Sequence, residues 1–313
     1  MIFFWGFSFV VVDIAIEFVT PLSIALYRLI ISSISLALIT FYLNFRRKSQ
    51  LNNQPKVKIK KASIKRYWSF IILASTTGVA GYLFIIYTAV SYIGPSIPSF
   101  TDCLLSPIFI TFISIIFFKE KITRNKIIGF VIASFGSYLL ITGGNIEILI
   151  AQNPNLLGYL FALLSPIFWS SYTIIIKKLK ELNMKEGKND NDIINLSYIS
   201  YFGCLELFLL VIFRNEFTIF TSNILNPIVL GSAIFLALGP FIIGYYIWNF
   251  SFKKFESSNV ASFLYIQPFL TLLFSLLFQR NDPITFWNIF GGIIVLVAVF
   301  IINFKQVKIK KED

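Results

Sequence analysis

Of the 27 Lys and Arg residues in this 313-residue chain, 24 fall in alternate connections between ten long apolar segments, and that alternation writes out a membrane topology. The basic clusters lie between Asn44 and Tyr67, between Lys119 and Lys126, between Lys177 and Lys188, at Lys253 and Lys254, and after Phe304. The intervening connections, around Val19, Gly94, Gln152, Asn215 and Asn281, hold only Arg214 and Arg280, while Arg28 stands inside an apolar run. Positively charged loops stay on the cytoplasmic side. Both chain ends are therefore expected in the cytoplasm, in a multi-pass protein of the cell membrane. A span needs about 20 helical residues at ~1.5 Å each to cross ~30 Å of hydrocarbon. The segments that meet this need run over 2–18, 21–43, 67–92, 96–118, 126–142, 156–176, 194–213, 227–250, 258–278 and 286–304.

Composition narrows the function classes. With 57% of residues apolar and 13% charged, the bilayer is the solvent. A net charge of +12 would ordinarily raise the question of nucleic acid, but here topology accounts for the basic residues and no recognition module accompanies them. The absence of histidine excludes His-based metal sites, His relays and Ser-His triads. Cys103 and Cys204 lie singly in apolar runs and read as small core residues, so no metal centre or disulfide is expected. Nothing resembles a phosphate-binding Gly-Lys-Ser/Thr loop, and no cofactor is implied. The apolar N-terminus lacks a charged leader and a small-residue cleavage site and reads as a retained span. Because that span begins at the initiator Met, a few upstream residues are expected to be missing.

The chain repeats itself at an offset of about 163 residues. Phe4 and Trp5 match Phe168 and Trp169; Gly81 and Tyr82 match Gly244 and Tyr245; Ser99 and Phe100 match Ser262 and Phe263; Ser106 and Pro107 match Gln267 and Pro268. Further on, EKIT from Glu120 matches DPIT from Asp282, and Gly129 matches Gly291. Five spans is an odd number, so the second copy enters the membrane from the opposite face. The expected fold is an all-α membrane protein of ten transmembrane helices in two inverted five-helix repeats, 1–144 and 154–305, with a basic tail at 306–313. Inverted repeats place a solute site near the bilayer midplane between the halves and let one bundle rock against the other.

The opening FFWGFSFVV followed by TPLSIALYRL, the run GYLFIIYTAVSYIGPSIPSF leading to SPIF, and FFKEKITRNKIIGFVIASFGSYLLITGG together resemble the ten-helix EamA family of the drug/metabolite transporter superfamily. The second copy, from GYLFALLSPIFWSSYTIIIKKL through FWNIFGGIIVLVAVF, is similar to the other half of that family. The resemblance spans essentially the whole chain. It implies export or import of amino acids, other small metabolites or nucleotide-derived solutes, through a cavity lined by segments 1, 3, 4, 6, 8 and 9. The acidic residue expected at the cytoplasmic end of segment 4 is Glu120; its counterpart region reads QRNDPIT and leaves only Asp282, shifted by one.

Five ionisable residues fall within spans: Asp13, Glu17, Arg28, Asp102 and Glu206. Charges at the bilayer centre cost on the order of 3 kcal/mol each and normally face a cavity or a partner. Counted from the external ends at about 1.5 Å per residue, Asp13, Arg28, Asp102 and Glu206 share one depth, whereas Glu17 sits at the interface. Asp13 and Arg28 read either as a neutralising pair that fixes a helical hairpin or as solute contacts. Asp102 and Glu206 have no basic partner in sequence, and a carboxylate so placed can bind a cationic group or exchange a proton. One Arg against three acids favours a cationic or zwitterionic solute. The aromatic residues Trp5, Tyr82, Tyr87, Trp169, Tyr172, Tyr245, Tyr246 and Trp248 lie on the lining segments, as solute-facing rings or as packing. Of these, Trp5, Tyr82, Trp169, Tyr245 and Trp248 are the solute-binding candidates. Pro107 and Pro268 occupy matching places and are candidate hinges.

These readings converge on a secondary transporter, an exporter or exchanger of small organic solutes working by alternating access, with no catalytic residues. Its partners are a solute and membrane lipids, as a monomer or homodimer. The alternative is a flippase or enzyme acting on a lipid-linked substrate, for which the lack of His leaves few acid-base candidates. A channel or receptor scaffold would instead conduct without saturation or signal without flux.

Overall fold

A computed structural model of the chain describes residues 1–51, 67–144, 156–185, 192–279 and 285–303. The basic connection within 52–66, the link between the halves, most of the QRNDPIT stretch and the tail at 306–313 lie outside them. Helices follow one another as α1 (Ile2–Ala15), α2 (Pro21–Leu51), α3 (Trp68–Ser75), a π segment (Thr76–Ala80), α4 (Gly81–Ile93), α5 (Ser96–Phe118) and α6 (Arg124–Thr142). The second half follows with α7 (Leu156–Lys185), α8 (Asp192–Phe213), α9 (Phe217–Ser222), α10 (Pro227–Leu236), a second π segment (Ala237–Tyr245), α11 (Tyr246–Ser251), α12 (Ser257–Ser262), a 3₁₀ turn (Phe263–Ile266), α13 (Gln267–Leu277) and α14 (Phe286–Asn303). Among the described residues there is no β-strand.

Among the described residues seven continuous rods are long and apolar enough to cross a bilayer: Pro21–Arg46, Trp68–Ile93, Ser96–Phe118, Leu156–Lys185, Asp192–Phe213, Pro227–Ser251 and Ser257–Leu277. Two of the expected spans are shorter apolar helices, Ile2–Ala15 and Ile289–Asn303, and α6 opens with Arg124 and Lys126 in its first turn. The first span ends three residues earlier than expected, since Ile16 and the residues after it form a turn. Conversely, α7 continues two turns beyond the apolar run to Lys185, carrying its lysines on the helix. The connection around Asn215 holds the short helix α9.

Both π segments lie at corresponding places in the two halves, and both are tied across the molecule. A π turn widens the helix and leaves carbonyls out of the regular ladder, a cost no water can relieve in hydrocarbon. The indole N–H of Trp5, in the first half, donates to the Pro240 carbonyl in the second π segment at 2.9 Å. In return the Tyr245 hydroxyl donates to the Gly78 carbonyl in the first at 2.6 Å. Glycine makes these approaches possible. A Cβ at Gly244 would stand 2.5 Å from Trp5 Nε1, one at Gly81 2.6 Å from the Phe168 ring, and one at Gly78 2.1 Å from the Tyr172 ring. The proline pair behaves unequally: α5 runs unbroken through buried Pro107, whereas Pro268 sits in the first turn of α13, directly after the 3₁₀ turn. Only the second of the two candidate hinges coincides with a break in helical geometry.

Overpacking a tight contact costs about 1–3 kcal/mol. Gly78→Ala and Gly244→Ala should each lower the midpoint of thermal unfolding in detergent. Gly231→Ala, which meets nothing within 4 Å, should leave it unchanged or raise it. Equal midpoints for all three would contradict the packing described.

Candidate functional site

The first half of the chain contributes most of a cavity that the second half closes. Trp5, Ser8, Phe9 and Val12 follow one another at helical spacing on α1; Tyr82, Leu83, Ile86, Tyr87 and Val90 do so on α4. Arg28 enters from α2 and Asp102 from α5, and the far wall is made by Trp169, Tyr245, Leu264 and Gln267. The space between these side chains, open solvent included, is about 490 Å³.

The walls are largely aromatic. Trp169 is the hub, with ring centroids of Trp5 and Tyr82 at 5.2 Å and of Tyr172 and Tyr245 at 5.3 Å. Trp5 and Trp169, at matching places in the two halves, meet edge to face at an interplanar angle of 85°. Such contacts hold large rings in fixed positions relative to one another.

Two charges face this space. Asp102, almost fully buried, accepts hydrogen bonds on Oδ2 from the Tyr82 hydroxyl at 2.9 Å and on Oδ1 from Ser106 at 3.2 Å and Ser165 at 3.5 Å. Ser106 lies one turn along α5, and Ser165 comes from α7 in the other half. Three hydroxyls hold the carboxylate, and no Lys or Arg among the described residues pairs with it. Arg28 donates from Nη1 to the Tyr87 hydroxyl at 2.5 Å, and its guanidinium carbon lies 5.5 Å from the centre of the Phe241 ring. Its Nε has no partner among the described residues.

Of the solute-binding candidates, Trp5, Arg28, Tyr82, Asp102, Trp169 and Tyr245 line this one cavity, and Tyr87 lies beside them. Three others do not. Glu206, on α8, accepts from Ser75 at 3.2 Å and Thr76 at 2.8 Å, where the first π segment begins. Asp13 is half-buried on α1 outside the lining residues. Trp248 is fully buried behind the Trp5 and Trp169 rings and donates to Thr173 at 3.2 Å. Counting residues gives a depth but not a direction around the helix, and the π turn shifts that direction further. Sequence reasoning missed Ser106, Ser165 and Gln267 as polar groups of the site. Ser106 and Gln267 had a signal, since they stand at matching places in the repeat; Ser165, one serine among many, had none.

Comparison with known proteins adds a name to this architecture. The EamA-like transporter family matches the chain twice, over residues 1–142 and 156–304. The Bacillus subtilis protein called uncharacterized transporter YyaM is 23% identical over 95% of this chain and 88% of its own length. A Bacillus subtilis protein called uncharacterized transporter YoaV is 26% identical over 96% and 93%. An Archaeoglobus fulgidus protein, also called an uncharacterized transporter, is 24% identical over 97% and 96%. A solved crystal structure superposes with a TM-score of 0.63 at 17% identity, covering 96% of this chain and 94% of that one, a likeness of fold. With its apolar helices and two matches that together take in nearly every residue, the chain belongs to the EamA-like transporter family, a membrane protein built for transport.

Proposed function

We propose that the protein is a secondary transporter, an exporter or exchanger, of small zwitterionic organic solutes such as amino acids. It works by alternating access between two inverted five-helix halves. The observation that carries this reading is the pairing of Arg28 and Asp102 on one aromatic-walled cavity, each without an opposite charge to neutralise it among the described residues. The solute carboxylate lies against the Arg28 guanidinium, whose planar fork suits that group. Its ammonium lies against Asp102, and its side chain packs on the rings of Trp5, Trp169 and Tyr245. Since Asp13 and Glu206 stand outside the lining, the balance in the cavity is one cation to one anion, which favours a zwitterion over a cation. When the solute departs, a proton takes its place on Asp102 and avoids leaving a bare charge in hydrocarbon.

The double match to one family, the two π segments and the reciprocal bonds of Trp5 and Tyr245 support the inverted-repeat reading. In that arrangement α1, α6 and α14 complete ten spans, and both chain ends lie in the cytoplasm. The solute contacts are charge-assisted, worth about 1.5–3 kcal/mol each, or roughly 10- to 100-fold.

In proteoliposomes, counterflow of radiolabelled proteinogenic amino acids should identify the solute. Asp102→Asn and Arg28→Lys should each reduce its counterflow by at least about 10-fold, and Asp102→Asn should remove any stimulation by a pH gradient. Glu206→Gln should stay within about twofold of the parent, because its partners lie away from the cavity. Normal transport by Asp102→Asn at every pH would overturn the assignment.

A further inference from the structure

The cavity does not continue to the basic end of the bundle. On α5 its only lining residue is Asp102, and about 24 Å of that helix, at ~1.5 Å per residue, separate Asp102 from Phe118. Along this length α5, from the first half, meets α7, from the second, in polar contacts at three levels. Ser165 donates to Asp102 at 3.5 Å, Ser170 donates to the Ser106 carbonyl at 3.3 Å, and Lys177 donates to Glu120. Between Ser106 and Glu120, α5 also carries Thr111 and Ser114, both buried with hydroxyls that find no partner among the described residues. A helix contact that stayed dry throughout would be cheaper with apolar groups there. Unpartnered hydroxyls fit a surface that is wet in another conformation.

The end of this seam is closed by charges exchanged between the halves. α5 stops where Lys119 turns into the left-handed region, φ 53°, which brings Glu120 beneath α12 and leads to α6, capped by Thr123. Glu120 Oε1 accepts from Lys177 and from the Ser257 backbone N–H at 3.0 Å, and Lys177 donates to the Ser257 hydroxyl at 3.0 Å while lying 4.1 Å from the centre of the Phe118 ring. In the reverse sense Lys126, fully buried, donates to Glu256 at 2.6 Å and to Ser258 at 2.6 Å. Each half thus offers one acid and one lysine to the other.

We propose that the α5–α7 seam is the path by which solute passes between the cavity and the basic face, and that the Glu120–Lys177 and Lys126–Glu256 pairs are the lock that closes it in this conformation. The proposal rests on the transporter reading above and assigns its gate.

The test uses the full chain in membrane vesicles, with Ser114→Cys as reporter in a Cys103→Ala, Cys204→Ala background and a membrane-impermeant maleimide applied from each face. With the lock intact the reporter should react slowly. Glu120→Gln or Lys126→Met should raise its rate from the basic face by at least about 10-fold, as a shift of population toward the open state requires. Exchanging the charges, Glu120→Lys with Lys177→Glu, should return it toward the parent rate. An unchanged rate in both neutralised variants, or reaction only from the opposite face, would overturn the lock. So would equal labelling from both faces that the charge exchange does not reverse, the signature of a bundle that has merely come apart. The readout needs no solute. If no amino acid is transported, the functional reading fails on its own, and the labelling rates still judge the seam.

Discussion

A helix that widens into a π turn inside hydrocarbon exposes carbonyls that no water can meet, and the centre of this molecule is organised around meeting them. Trp5 serves Pro240 and Tyr245 serves Gly78, each reaching from one half of the chain into the other. Because both donors are aromatic, satisfying the backbone also brings large rings to the middle of the bundle, and Trp169 gathers them into one cluster. Gly244 leaves room for Trp5, and Gly78 and Gly81 leave room for the neighbouring Tyr172 and Phe168 rings. Cavity walls and helix irregularity are one device seen from two sides.

Within those walls the polar groups are few and specific. Asp102 is held by three hydroxyls from α4, α5 and α7, so its position depends on both halves at once. Arg28 leans on Tyr87 and Phe241, again one contact from each half. A site whose charges are positioned by elements from both halves is disturbed whenever the halves move relative to each other. That is the property a carrier needs in order to bind on one side and release on the other.

Much of this was legible in sequence, for identifiable reasons. An aspartate or arginine in an apolar run is costly enough to stand out, so Asp102 and Arg28 could be named; paired aromatics in a repeated chain could be named by their register. Direction around a helix was harder to read. Counted from the helix ends Glu206 matches Asp102 in depth, yet its own helix turns it to Ser75 and Thr76, about two turns along the rod from the Tyr82 that holds Asp102. The lysines were legible only as topology. Lys126 and Lys180 read as loop charges, but they are buried against Glu256 and Asp192, since a helix that outruns its apolar stretch carries its charges into the packed end of the bundle. Matching prolines likewise promised matching bends, and only the one at the start of α13 adjoins a break.

The central claim is that Arg28 and Asp102 together select a solute bearing both charges. Thermal stabilisation of the purified protein by free amino acids, compared with their methyl esters and N-acetyl derivatives, tests it most directly. The account predicts that at least one free amino acid raises the unfolding midpoint in a concentration-dependent way and that both of its blocked derivatives fail to. Equal stabilisation by the ester or the N-acetyl form would contradict it, because one of the two charges would then contribute nothing to recognition.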